Sequence, residues 1–312
     1  MNQAPLAKNT ITVAVCSFNS AHYLPVLLEK LISQECSIPF EILIIDNNST
    51  DNTADLVKQF SETSSTPIRY VNESEQGIPY ARNRAITESL SSHYLAFIDA
   101  DEIPEQTWLQ AAVSVLMDQS VDSVGGKIAI ALPIRPAWLS DDLLPFYGEV
   151  NHSNKTLQIV DASTPIWSGN IAYNTRIFQQ GLRFDIRYNR KGKGIGGGSD
   201  GIMFNYFLQH HYNLVYEPKM AIQHLIPDEK ITRGYFLKLH FIAGRKAGLY
   251  EIKPEGKKIV GIPRFMFFQL LKKIQHVSVL FALKRQPYMR EAMNIAYQAG
   301  MIAGLYYANK TI

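Results

Sequence analysis

The sequence contains Tyr94-Leu95-Ala96-Phe97-Ile98-Asp99-Ala100-Asp101-Glu102, an apolar run that ends in three carboxylates within four positions. A buried strand does not tolerate this charge, because a desolvated carboxylate is costly unless it is paired or bound to metal. Alternate strand residues share a side, so we expect Asp99 and Asp101 to face one ligand at a cleft. Such oxygen ligands suit Mg²⁺ or Mn²⁺ carrying a diphosphate. The alternative is an acidic helix N-terminus capped by Asp101.

Short apolar runs rich in β-branched residues alternate with segments of helical periodicity. The runs predict strands at residues 11–17, 40–45, 68–71, 94–98 and 123–130. The periodic segments predict helices at 23–32, from Thr50 or Asp51 as cap to about 60, around Arg82, and at 105–118. Strands that alternate with helices in this way are typical of βαβ units, so the predicted fold class is α/β with a mostly parallel sheet.

Polar clusters follow four of the predicted strands. They are Ser17 to Asn19, Asp46 to Asn48, the loop at Gly77, and Asp99 to Asp101. In a parallel sheet, ligands bind beyond the carboxyl ends of the strands, so we expect these clusters to converge on one edge. Each could instead be a capping turn, but a cap needs only one Asn or Asp. Neither a dinucleotide-binding glycine motif nor a Walker loop is present, so metal and side chains must handle phosphate charge.

Composition and charge divide the chain unevenly. With 312 residues, 46% of them hydrophobic, it can form one large α/β domain or a domain plus an extension. Residues 228–312 hold 15 Lys and Arg but only five Asp and Glu, so we expect this tail to meet an anionic partner. Nucleic acid is disfavoured because no nucleic-acid-binding motif is present. A membrane surface fits better, because the tail is also rich in aromatic and aliphatic residues.

The tail contains two candidate helices, at residues 263–283 and 292–308. The second carries Gly300 and Gly304 at the close-packing spacing of membrane helices. Either the pair lies on a membrane, or it packs on the catalytic domain or on a second subunit. The two cysteines, Cys16 and Cys36, have no metal-ligand spacing, and no signal peptide is visible, so we expect a cytoplasmic protein.

Six motifs, in order, carry a resemblance that extends over three-quarters of the chain. The motifs lie at residues 15–19, 45–51, 77–83, 97–101, 197–200 and 223–227. Through them the chain resembles family 2 glycosyltransferases with the GT-A fold. Within that family it is most similar to bacterial exopolysaccharide enzymes of the succinoglycan glucosyltransferase type.

The resemblance implies a domain organisation. A GT-A-type, Rossmann-like catalytic domain would occupy residues 1–227, with a nucleotide-sugar half over about 1–125 and an acceptor half over about 126–227. A basic amphipathic helical extension would follow over residues 228–312.

The resemblance also implies roles for individual residues. It assigns the general base to Asp200. It assigns nucleotide-sugar binding to Ser17, Asn19, Asp46, Asn48, Gly77, Arg82 and Asp99. It assigns metal binding to Asp99, Asp101 and His224. It assigns acceptor binding to Trp167, Gly169, Asn170 and Ser199.

The implied reaction is metal-dependent transfer of a sugar, with inversion, from a nucleotide-sugar to a saccharide acceptor. We expect a UDP-sugar donor, Mn²⁺ or Mg²⁺ as cofactor, and a role in exopolysaccharide or cell-surface glycan synthesis. We further expect a lipid-linked acceptor and a peripheral position on the inner face of the plasma membrane. The alternatives are a sugar nucleotidyltransferase, which would need a glycine-rich phosphate loop near the N-terminus, and a catalytically silent sugar-binding module.

The chain departs from the family pattern at two places. Ser199-Asp200 stands where the family often has Glu-Asp, and Ile202 stands where another acid follows. This puts in doubt the acceptor contact usually given to the Glu, though not the base. The basic loop at residues 187–194 could be a lid over the diphosphate or a solvated loop.

Overall fold

The structure is a computed structural model that describes residues 9–189, 198–252, 255–283 and 288–309. Contacts divide the chain into two compact units. The first comprises the described residues up to 132, then 147–189 and 199–226; the second comprises 133–146, 198 and the described residues from 227 onward. Residues 133–146, inside the predicted acceptor half, thus group with the C-terminal helices. The functional division at residue 227 stays a prediction.

The first unit alternates strands and helices over its first half. Its elements are β1 (Ile11–Ser17), α1 (Leu24–Ile32), β2 (Phe40–Asp46), α2 (Thr53–Thr63), β3 (Ile68–Asn72), α3 (Ile78–Glu88), β4 (Tyr94–Asp99), β5 (Glu102–Pro104), α4 (Trp108–Leu116), β6 (Ser123–Ala131), β7 (Leu157–Ile159), β8 (Asn170–Asn174), α5 (Ser199–Gln209) and β9 (Leu214–Leu225).

The strands form one mixed sheet. Within the described ranges its order is β3-β2-β1-β4-β8-β6-β9-β5, and β7 pairs with β9. The four strands β3, β2, β1 and β4 are parallel, as is the β6–β9 pair. Strands β8, β5 and β7 pair antiparallel with their neighbours. The predicted α/β fold with helices flanking a mostly parallel sheet is therefore confirmed, and the antiparallel strands add to its second half.

The core of this unit lies between the sheet and its helices. Every residue of β1 is buried, as expected for a parallel strand covered on both faces. In α1 the buried side chains are Leu24, Leu27, Leu28 and Leu31, at the predicted helical spacing. Full burial of one such leucine stabilises the fold by about 1.5–3 kcal/mol relative to exposure.

The alternative that Asp101 caps a helix was wrong, and two helices begin later than predicted. Residues 102–104 form β5, in which Glu102 pairs with His224 and Pro104 with Ile222, so Asp101 does not cap a helix. Helix α4 consequently begins at Trp108 rather than at residue 105. Helix α2 begins at Thr53 with Asn52 as its N-cap, one residue later than a cap at Asp51 implies. The Asp51 side chain still accepts hydrogen bonds from the amide and the hydroxyl of Thr53, as expected of an acid at the start of a helix.

The second unit is largely helical. It contains α6 (Arg233–Tyr250), a short hairpin of β10 (Lys258–Ile259) and β11 (Ile262–Pro263), α7 (Arg264–Ala282) and α8 (Tyr288–Ala308). Both candidate helices of the tail therefore exist. None of the helices in the described ranges combines the length and apolar character needed to cross a bilayer.

Helices α6 and α8 pack backbone to backbone. A Cβ placed on Gly244 of α6 would lie 1.9 Å from the Tyr297 carbonyl oxygen, and one on Gly300 of α8 would lie 2.0 Å from that of Phe241. One on Gly304 would also meet α6 backbone. The Gly300 and Gly304 spacing thus serves contact with α6 within the second unit, a partner that none of the sequence alternatives named.

Candidate functional site

The carboxyl ends of β1, β2 and β4 lie side by side at one edge of the sheet. Ser17 is in register with Asp46, and Cys16 with Asp99. Both Ser17 and Asp46 are buried, and among the described residues the Ser17 hydroxyl oxygen has no hydrogen-bond partner. Buried polar atoms are normally satisfied, so an orphan at this edge favours a ligand or ordered water there. The predicted convergence of the strand-end clusters is thus observed.

The loops after β1 and β2 are joined through Asn19. Its side-chain oxygen accepts a hydrogen bond from the backbone amide of Thr50 at 2.7 Å, and the backbone amide of Asn19 donates to Ser49 Oγ at 2.9 Å. Asn19 and Asn48 have φ of +50° and +64°, a left-handed conformation that Asn tolerates better than most residues. Asn19 therefore holds the two loops together.

Asp46 is fixed by two donors. Its Oδ1 accepts from the Ser49 amide at 3.0 Å, and its Oδ2 accepts from the Tyr70 hydroxyl at 2.6 Å. Burial raises the pKa of Tyr70 to about 12, and so do its hydrogen bond with Asp46 and the negative charge of Asp46. The Tyr70 hydroxyl therefore keeps its proton and stays a donor. Each carboxylate oxygen can accept a second bond, so Asp46 retains capacity for a ligand N–H.

The loop at Gly77 is organised by Asn47, which the residue-by-residue assignment missed. Asn47 Oδ1 accepts from the Gly77 amide at 2.6 Å, and its Nδ2 donates to the carbonyl oxygens of Glu73 and Glu75. Gly77 has a φ of +142°, and a Cβ there would overlap the Asn189 side chain. Only glycine fits position 77. For Asn47, the only signal in the sequence was its place inside the Asp46–Asn48 motif.

Arg82 joins two predicted site residues. On α3, its side chain is 3% exposed; Nη1 donates to Asp200 Oδ1, and Nη2 lies 3.4 Å from Asp99 Oδ1. Burial works against the charge, but Asp200 and Asp99 raise the pKa of Arg82, so the guanidinium stays protonated. Asp200 lies in the first turn of α5, where the helix dipole favours an acid. Asp99 and Asp200, the predicted base, therefore share the guanidinium of Arg82.

Asp101 faces His224. Asp101 Oδ2 and His224 Nε2 are 3.5 Å apart, and His224 Nδ1 is 2.9 Å from the Tyr147 carbonyl oxygen. That carbonyl assigns the proton of a neutral ring to Nδ1, so Nε2 presents its lone pair toward a carboxylate. Two electron-rich atoms that face each other fit a divalent cation, and a carbonyl on the other ring nitrogen is the usual support of a histidine ligand.

The structure does not bring all three predicted metal ligands together. Asp99 contacts Arg82 rather than the Asp101–His224 pair. Within the described ranges, no group of three or more His, Cys, Asp and Glu side chains is placed to hold a metal ion. Mg²⁺-type sites in phosphate-transfer proteins use one or two protein carboxylates plus phosphate oxygens and water. The donor set of Asp101 and His224 fits such a site, and the Asp99 assignment stays a prediction.

Glu102 accepts a hydrogen bond from the backbone of the turn at residues 99–101. It was not among the site residues predicted from the sequence. Its Oε2 accepts from the Asp99 amide at 2.8 Å, and a Cβ on Gly169 would lie 2.4 Å from its Oε1. Burial, and then the charges of Asp99 and Asp101, raise the pKa of Glu102 well above its ordinary value. The sequence signal for Glu102 was its place as the third carboxylate after the apolar run that ends at Ile98.

Of the four predicted acceptor-binding residues, three are buried and one, Trp167, is half-buried. Asn170 is fully buried: its oxygen accepts from Trp108 Nε1 at 2.7 Å, and its amide nitrogen donates to the Lys127 and Met220 carbonyls. Asn170 thus joins the core strands through its side chain, and its acceptor role stays a prediction. Gly169 and Ser199 are also buried, while Trp167 is half-buried. The basic loop at 187–194 lies outside the described residues from position 190 onward.

Comparison with known proteins identifies relatives of the first unit. The model of glycosyl transferase family 2 matches residues 12–182, more than half of the chain. Glycosyltransferase AglE of Haloferax volcanii is 33% identical over 124 residues, which are 39% of this chain and 40% of AglE. Glycosyltransferase GlyA of Streptococcus pneumoniae is 27% identical over 188 residues, which are 58% of this chain and 26% of GlyA. The chain thus spans less than half the length of these relatives.

Solved structures share the fold. Mannosyltransferase PcManGT from Pyrobaculum calidifontis, in complex with GDP-Man and Mn²⁺, superposes with a TM-score of 0.64 at 17% identity, covering 97% of this chain and 88% of its own. TarS 1–349 of S. aureus, in complex with UDP-GlcNAc, gives a TM-score of 0.52 at 15% identity, and the match covers 78% of this chain and 68% of the TarS chain. At these identities the likeness is one of fold.

Proposed function

Because this chain belongs to glycosyl transferase family 2, we propose that it is a metal-dependent glycosyltransferase that moves a hexose, with inversion, from a UDP-sugar to a saccharide acceptor. The observation that carries the proposal is the Asp99–Arg82–Asp200 cluster. It links a carboxylate of the strand-end acidic turn to a carboxylate on a separate helix. A displacement on the sugar needs groups on two sides of the reacting carbon, and this cluster supplies them from two elements.

The donor side is formed by the strand ends. Ser17 and Asp46 offer a hydroxyl and a carboxylate for the nucleoside, and Gly77 lets the backbone approach it. Asp99 contacts the ribose and sugar, and Asn19 and Asn48 shape the surrounding loops. Asp101 and His224 would hold Mn²⁺ or Mg²⁺, which when bound neutralises charge on the departing diphosphate.

The acceptor side is built around Asp200. Arg82 contacts its Oδ1, and a carboxylate has further acceptor sites on both oxygens, so Asp200 can take the proton of an incoming hydroxyl. That hydroxyl attacks the anomeric carbon from the face opposite the diphosphate, which inverts its configuration. Trp167 and Gly169 shape the pocket that receives the acceptor sugar, and the buried Ser199 starts the helix that carries the base.

The wider context is also part of the proposal. We place the reaction in exopolysaccharide or cell-surface glycan synthesis, with an acceptor that is lipid-linked and reached from the inner face of the plasma membrane. The basic tail supports this placement because it complements an anionic leaflet. Of the alternatives, a sugar nucleotidyltransferase is disfavoured by the family match, and a silent binding module has no need of Asp200 beside Asp99.

A thermal-shift panel of nucleotide-sugars, with and without Mn²⁺, tests donor and metal together. We expect one UDP-sugar to stabilise the protein and Mn²⁺ to increase the effect, because a ligand at 100 times its Kd adds about 2.7 kcal/mol to the free energy of unfolding. Asp101→Asn should lose the Mn²⁺-dependent part. Asp118→Asn, at an exposed carboxylate that binds Ser120, should keep it.

Two results would count against the proposal. If no nucleotide-sugar stabilised the protein, the strand-end edge would not be a donor site. If Asp101→Asn retained the full effect of Mn²⁺, the cation would bind elsewhere.

A further inference from the structure

Helix α7 has one inner face and one outer face. Its inner positions, at helical spacing, are Met266, Phe267, Leu270, Lys273, Val277 and Leu280. Of these only Met266 is fully buried, against Ile262 and Leu305. All other described positions of the helix are exposed. A surface helix normally turns polar residues outward, so the composition of this outer face decides what it contacts.

The outer face of α7 carries large apolar side chains among polar ones such as Gln269, Gln275 and Ser278. Phe268 is 66% exposed and Leu271 63%, and Phe265 and Val279 are more than half exposed. These positions follow one another at spacings of three to eight residues, so they lie along one side of the helix. Exposed aromatic and aliphatic side chains with polar residues around them mark an interaction site.

The same segment carries positive charge without any acid. Residues 257–283 contain Lys257, Lys258, Arg264, Lys272 and Lys273, and no Asp or Glu. Arg264 and Lys272 are exposed beside the apolar side chains. Lys and Arg next to aromatic and aliphatic residues on one helix are typical of helices that lie in a membrane interface.

The hairpin before α7 adds an independent observation. Its tip exposes Ile259 and Val260, the latter 69% exposed with a φ of +50°. A β-branched residue rarely adopts this conformation, and Asn or Gly is the usual choice in such a turn. Strained backbone of this kind is concentrated at segments that contact ligands or act as switches. The Arg264 amide donates to the Lys257 carbonyl, which joins the hairpin to the start of α7.

We propose that residues 257–283 dock on an anionic lipid surface, with Phe265, Phe268, Leu271 and Val279 of α7 in the headgroup region and its Arg and Lys at the lipid phosphates. A second copy of the chain is the rival occupant. Two such faces would bring their Arg264 and Lys272 side chains together with no acid on either α7 to pair them, and like charges repel. An anionic leaflet complements the same face. The docking deepens the membrane placement of the proposed function, because it names the element that contacts lipid.

Sedimentation of the full chain with vesicles tests this docking. We expect binding to vesicles of phosphatidylcholine and phosphatidylglycerol, weaker binding to phosphatidylcholine alone, and weaker binding at high salt. Phe268→Ser with Leu271→Ser should lower the partition coefficient at least tenfold, which corresponds to about 1.4 kcal/mol. Arg264→Gln with Lys272→Gln should reduce the preference for the anionic lipid.

The matched control replaces two exposed apolar residues elsewhere. Val26 is 47% exposed on α1 and Val160 is 78% exposed after β7, and Val26→Ser with Val160→Ser should bind vesicles as the wild type does. The docking is refuted if the wild type stays in the supernatant, or if the control loses as much binding as the α7 variant. It is also refuted if light scattering without lipid shows a dimer that Phe268→Ser with Leu271→Ser makes monomeric.

Failure of the docking can be told from failure of the proposed chemistry. Nucleotide-sugar stabilisation in solution does not require lipid, so it should be equal in the wild type and in both serine variants. A protein that binds its donor but not vesicles would retain the proposed reaction and lose only the membrane contact.

Discussion

Asp200→Asn is expected to reduce the rate of sugar transfer by about a hundred- to ten-thousand-fold, the range that general-base groups contribute. The amide has nearly the same shape and its oxygen still accepts from Arg82 Nη1, so the cluster should keep its geometry. It does not take a proton from the acceptor hydroxyl. Nucleotide-sugar affinity should therefore change less than about twofold, because the proposed donor site is formed by the strand ends and not by α5.

Initial rates with a labelled donor, together with calorimetric Kd values, check this expectation. Asp118→Asn is the matched control, since it makes the same change at an exposed carboxylate outside the cluster. Transfer by Asp200→Asn above a tenth of the wild-type rate would remove Asp200 as the base. An equal loss of donor affinity would instead make it a donor-binding residue.

Arg82→Met is expected to lower the free energy of unfolding by about 2–3 kcal/mol. Breaking a buried ion pair by removing one partner costs about 3–5 kcal/mol, and solvent screening reduces this figure because Asp99 and Asp200 are about a third exposed. Without the guanidinium, the two carboxylates repel each other. Arg82→Lys should cost less than Arg82→Met, because it keeps the charge but lacks the fork that reaches both carboxylates.

Urea unfolding of matched variants separates this effect from ordinary loss of a charge. Arg84→Met, two residues along α3, breaks an exposed pair with Glu88 and should cost less than about 1 kcal/mol. When Asp200 is already replaced by Asn, Arg82→Met should lower the free energy of unfolding by at least about 1 kcal/mol less than it does in the wild type, because one of the two repelling charges is gone. An Arg82→Met variant as stable as Arg84→Met would show that the cluster does not hold α3 and α5 together.

The parallel half of the sheet could be predicted because its signals are local. An apolar run such as residues 11–17 predicts a buried strand by itself, and a polar cluster after each strand marks the edge on which ligands bind. The convergence of Ser17, Asp46 and Asp99 followed from these two rules and is observed.

The remaining features depend on partners that local patterns do not specify. Residues 102–104 form a strand only because β9 lies beside them, and three residues are too few for a periodic signal. Asn170 belongs to the core because Trp108, 62 positions earlier, donates to its oxygen. Likewise, the spacing of Gly300 and Gly304 indicates close packing without saying against what. The structure supplies α6 as that partner.

Diffraction at the manganese absorption edge, from crystals grown with UDP and Mn²⁺, would locate the cation and the nucleotide together. We expect an anomalous peak within about 2.5 Å of an Asp101 carboxylate oxygen, in contact with the diphosphate, with His224 beside it. A peak away from Asp101, or UDP bound away from the edge formed by Ser17, Asp46 and Asp99, would show that this edge is not the donor site.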